Sequence, residues 1–99
     1  MATLYELQTR LRQFYNLKDN LDYVVKYLNN SIDDLQPSVK NFLTAYSVDE
    51  SSKGYVVLKK DLSTLVERRD TIKNTVIPAI NFEIRKIKKD IEEEQSKLT

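Results

Sequence analysis

The chain contains no cysteine and no histidine. Without cysteine there is neither a disulfide framework nor a thiolate metal site, and no redox compartment follows. Without histidine the commonest metal ligand and general base is missing. The sequence accordingly suggests no catalytic residue, cofactor site or metal site, and an enzyme is the least favoured class. One glycine and two prolines among 99 residues leave little punctuation, so long elements are expected. Charge of one sign is also lacking: sixteen Lys/Arg face fifteen Asp/Glu, with five against six in residues 1–49 and eleven against nine in the remainder. Neither half concentrates the positive charge that phosphate binding needs, so nucleic acid is not expected as a partner. No apolar run approaches the roughly 20 residues of a membrane span. The opening Met1-Ala2-Thr3-Leu4-Tyr5-Glu6-Leu7 lacks the basic-then-apolar layout of a signal peptide.

What the chain does contain is a long hydrophobic seam. Leu4, Leu7, Leu11, Phe14, Lys18, Leu21, Val25, Leu28, Ile32, Leu35, Val39, Phe42 and Tyr46 alternate in steps of three and four, with Lys18 the one polar member. That period keeps one stripe of a helix facing one partner, as in a coiled coil. Lys18 either selects the register of pairing or lets its amine snorkel to solvent. Thr3 followed by Glu6 forms a capping box that starts helix one. Pro37 crowds the carbonyl of Asp33, which predicts a kink, or a short break with Pro37 opening a new turn.

Ser47 to Gly54 holds the lone glycine and two adjacent serines and reads as a turn, with Ser51 or Ser52 capping the helix that follows. Helix two carries Leu58, Leu62, Leu65, Arg69, Ile72 and Val76, then Ile80, Ile84, Ile87 and Ile91. Its run of steps of four reads as a stutter that unwinds the supercoil. Pro78 stands at the same place, so a kink is expected there. Beyond Ile91, Glu92, Glu93 and Glu94 oppose the helix macrodipole, which predicts a frayed end. The expected fold is all-α: an antiparallel two-helix hairpin with coiled-coil-like packing, one domain over 1–99, with helix one at 3–46, the turn at 47–54 and helix two at 55–95.

Apolar residues exceed what one stripe per helix consumes. Tyr15, Leu17, Tyr23, Val24 and Tyr27 lie off the first seam, and Val57, Val66, Ile77 and Phe82 off the second. They either widen the core of a twisted hairpin or make a second interface. Tyrosine, an apolar ring with a polar tip, favours the interface. Tyr15, Tyr23, Val24, Tyr27, Val66, Ile77 and Phe82 are therefore the expected partner-binding residues. Arg85, Lys86, Lys88 and Lys89 form a basic cluster among Glu83, Asp90 and Glu92 to Glu94, which reads as a solvated helix face.

Two long helices of similar length with a lone glycine at the central turn resemble the WXG100-like superfamily of type VII secretion systems. Within it, the closest likeness is to small helical proteins encoded beside LXG toxins. The family's Trp-x-Gly falls on Ser52-Lys53-Gly54, so Gly54 is the matching turn residue and the tryptophan is replaced. In the family that tryptophan packs the hairpin tip, and Tyr55 is the neighbouring aromatic for the role. The Tyr-x-x-x-Asp/Glu export spacing occurs as Tyr15 and Asp19, and as Tyr46 and Glu50, in the first half rather than after helix two. The resemblance implies an adaptor in the bacterial cytoplasm, open to co-secretion, that pairs with the helical N-terminal domain of an LXG toxin and with a second small helical protein. The competing expectation is a self-associating homodimer, a four-helix bundle with no client.

Overall fold

A computed structural model describes residues 2–46 and 53–98. Helix α1, Leu4–Tyr46, starts where the capping residues place it. The Glu6 N–H donates to the Thr3 hydroxyl at 3.2 Å, and the Leu7 N–H donates to the Thr3 carbonyl at 3.0 Å. This is the threonine half of the capping box. The helix then runs unbroken through Pro37. Ile32 and Val39 are buried on either side of the proline, and that shared burial favours one continuous helix although one N–H is lost.

Helix α2, Lys53–Thr71, begins earlier than the sequence suggests. Of the expected turn, residues 47–52, including Ser51 and Ser52, lie outside the described residues, whereas Lys53 and Gly54 are helical. Gly54 is thus not the turn residue it was expected to be; its value lies in close approach. A Cβ built on it would stand 3.0 Å from Phe42 Cζ, so any side chain there must push the ring aside. Tyr55, next to it, is buried, and the Lys59 amine lies 5.8 Å from the centre of its ring.

The two halves run antiparallel as one hairpin. Leu7 packs with Ile87 and Ile91 at one end, Asn29 bonds Arg69 in the middle, and Phe42 lies beside Gly54 at the other end. The result is a rod of 74 × 17 × 13 Å. Every described seam position is at least half-buried, and no buried residue of the described set is polar or charged. Lys18, half-buried, makes no ion pair with a described residue, which fits an amine that snorkels outward.

Helix two departs from regularity between α2 and α3, Ile77–Lys97. Residues Ile72–Val76 form a π-turn in which the Ile77 N–H donates to the Ile72 carbonyl. Counting the seam explains it. From Leu58 to Val76 the steps alternate four and three, but Ile72, Val76, Ile80 and Ile84 are separated by three successive fours. One residue is therefore supernumerary within the heptad. A regular helix would rotate the later isoleucines by about 100° away from α1. The wider i→i+5 turn absorbs the extra residue, and Ile80, Ile84, Ile87 and Ile91 all stay buried. The expected irregularity at Pro78 is real, but it takes the form of an inserted residue rather than a gradual unwinding. Nor does the helix end at the acidic run: α3 reaches Lys97, whose amine bonds Glu94 at 2.9 Å.

One polar atom is misplaced. The Thr9 hydroxyl is shut off from solvent and has no hydrogen-bond partner among the described residues. Leaving such a group unpaired costs about 1–3 kcal/mol. Thr9→Val keeps the shape and removes the oxygen, so a stability gain of about 1 kcal/mol is expected in a urea melt. A loss there would show that the hydroxyl is in fact satisfied.

Candidate partner-binding surface

Heptad geometry decides which off-seam residues can act together. Tyr23, Val24 and Tyr27 fall within about one turn of α1, the two tyrosines four residues apart on the face away from the seam and Val24 at the edge of that face, with Leu17 one heptad before Val24. Tyr23 is 72% exposed and Tyr27 63%. Val24, less exposed, forms one wall of a groove with Leu28, Arg68, Thr71 and Ile72. The pairing of Asn29 with Arg69 sets the π-turn at the level of this aromatic belt. The belt and the irregular turn thus share one cross-section of the rod, and π-turns are frequent at functional positions.

The other expected contact residues lie elsewhere. Tyr15 is on the opposite edge, with the Lys88 amine 5.4 Å from its ring centre. Val66 is half-buried and lines a shallow cleft with Gln36 and Leu62 on that same edge. Ile77 is half-buried at the end of the π-turn. Phe82 is exposed on the back of α3, facing away from α1. The structure therefore brings Tyr23, Val24 and Tyr27 together and separates them from Tyr15, Val66 and Phe82. Tyr15 and Asp19, the expected export spacing, are exposed one turn apart within α1.

A cross-hairpin link was not foreseen. The Arg69 Nη1 donates to Asn29 Oδ1 at 3.1 Å, and its Nε to Asp70 Oδ1 at 3.1 Å. This gives the polar seam position a named partner and ties the register of α1 to that of α2. A hairpin folded at residue 49 or 50 places Asn29 opposite residues 69 to 71, so the signal was present in the turn position.

Among the described residues no cluster of acidic side chains could hold a metal ion, and no helix is long and apolar enough to cross a membrane. The geometry offers an exposed aromatic and apolar belt on an elongated helical rod. Comparison of the chain with protein-family models, curated proteins and solved structures finds no match.

Proposed function

We propose that this protein is a non-enzymatic helical adaptor that pairs with a helical partner, the N-terminal domain of an LXG-type toxin, keeping it soluble and targeting it for type VII secretion. The observation that supports pairing is the surface. The chain exposes 7481 Å², whereas a compact monomer of 11.6 kDa exposes about 5,800 Å². The excess, roughly 1,600 Å², is about twice what one partner buries in a standard interface. Tyr23, Val24 and Tyr27 supply the aromatic centre that such interfaces use. The toxin as client rests on the resemblance in helix layout alone.

The test is co-expression with the helical N-terminal domain of an LXG toxin encoded beside the gene. Wild-type protein is expected to co-purify at fixed stoichiometry. Tyr23→Ser with Tyr27→Ser is expected to weaken the complex at least about tenfold, each buried ring being worth more than 1 kcal/mol, with helicity unchanged. An unaltered affinity would remove the tyrosine belt from the interface. Absence of any such neighbouring gene would remove the toxin as client.

A further inference from the structure

The back of α3 carries an ordered charge pattern that the pairing function does not use. Phe82, Arg85, Lys86 and Lys89 stand at i, i+3, i+4 and i+7, opposite the buried Ile80, Ile84, Ile87 and Ile91. The same face continues with Glu92 and Glu93. All six are exposed, and none of the five charged ones forms a salt bridge with a described residue. Glu83 and Asp90, which stand beside this cluster in sequence, are half-buried toward the seam instead; Asp90 lines an end cleft with Leu7 and Arg10, which Glu93, exposed, also borders. The stripe is therefore sorted lengthwise, cationic in its first half and anionic in its second.

A stripe sorted in this way is complementary to itself when reversed. We propose that two copies of this chain associate through the outer faces of α3, antiparallel about a two-fold axis near Lys89. Arg85 and Lys86 of each copy then lie beside Glu93 and Glu92 of the other, and the symmetry repeats the set. Lys89 sits near the axis, with a long stem that lets its amine reach the glutamates and avoid its own counterpart. Phe82 covers the last turn of the opposing helix at each end, removing a ring that is 58% exposed. The near-zero net charge places no overall repulsion between copies. A parallel arrangement would set cation against cation and is excluded on the same ground. Because exposed ion pairs are individually weak, this is a salt-sensitive dimer, and it leaves Tyr23 and Tyr27 on α1 free. The proposal does not depend on the client.

Sedimentation equilibrium of the full chain up to about 1 mM is the experiment. At about 20 mM salt a monomer–dimer equilibrium is expected, weakened about tenfold or more at about 500 mM. Two variants invert one half of the stripe each: R85E/K86E/K89E and E92K/E93K. Each alone is expected to be monomeric with unchanged helicity, because every substituted position is exposed. Mixed in equal amounts they are expected to form a heterodimer. A monomeric wild-type protein at low salt would overturn the proposal, as would variants that each still dimerise. Loss of the dimer in Y23S/Y27S would also overturn it and move the contact to the aromatic belt, whereas failure to bind a toxin domain would leave the dimer standing.

Discussion

Deletion of Pro78 is expected to abolish the π-turn and to stabilise the protein, whereas Pro78→Ala is expected to retain the turn. The distinction follows from counting. With Pro78 removed, Val76 and Ile80 are separated by three residues rather than four, and the seam from Leu58 to Ile91 alternates four and three throughout. An ordinary α-helix then aims every seam residue at α1, and the missing N–H and the crowded carbonyl vanish together. An interior proline costs about 3 kcal/mol in a regular helix. That figure bounds the gain, because the existing turn already relieves part of the clash. A chain of this size gains about 4–8 °C per kcal/mol, so a rise of roughly 5 °C or more in the melting temperature is the expected result.

Pro78→Ala restores the N–H but leaves the extra residue. If the helix became regular in that variant, Ile80, Ile84, Ile87 and Ile91 would turn from α1 by about 100°, and the core that Ile87 and Ile91 form with Leu7 would open. The wide turn is therefore expected to persist, with a change in stability below about 1 kcal/mol, since proline near a helix start is tolerated and stiffens the unfolded chain. Amide-proton connectivities across residues 71–80 report the turn directly. A regular helix in Pro78→Ala, or a lower melting temperature after deletion, would show that the proline ring alone shapes this segment.

Legibility in the sequence varied with the kind of information involved. The seam was readable because burial is periodic: each position from Leu4 to Phe42 that the spacing assigns inward is at least half-buried. Helix continuity at Pro37 was not readable, because the cost of proline is local while the burial of Ile32 and Val39 that offsets it is tertiary. The run of fours announced an irregularity near Pro78. Only the placement of four buried isoleucines beyond it decides that the irregularity is an inserted residue. Gly54 invited a reading as a turn because glycine has two uses, positive φ and close approach, and the sequence does not show the Phe42 ring. The candidate surface was legible where residues share a turn, as Tyr23, Val24 and Tyr27 do. Tyr15, Val66 and Phe82 required the hairpin register before their edges could be told apart.

Ile32→Ala is expected to have the largest effect of any single conservative truncation, and it separates what folds the hairpin from what the hairpin offers a partner. Ile32 is 2% exposed and is the largest fully buried side chain among the described residues. Truncating a buried isoleucine to alanine costs about 2–5 kcal/mol, through lost transfer energy and the cavity left behind. A domain of this length is stable by about 5–15 kcal/mol in all, and a thin rod with one core stripe belongs near the lower bound. Ile32→Ala should therefore lower the melting temperature by 10 °C or more, on the scale of roughly 4–8 °C per kcal/mol, with loss of helicity at 37 °C. The hairpin halves hold each other in register through this stripe, so the truncation should also weaken any partner that requires the folded rod. Tyr23→Ser, only nine residues away but 72% exposed, should leave the thermal melt nearly unchanged. The urea midpoints of the two variants, measured side by side, give the comparison. Equal losses would mean that Tyr23 belongs to the core of a self-associated state, and the aromatic belt would then be covered in the free protein.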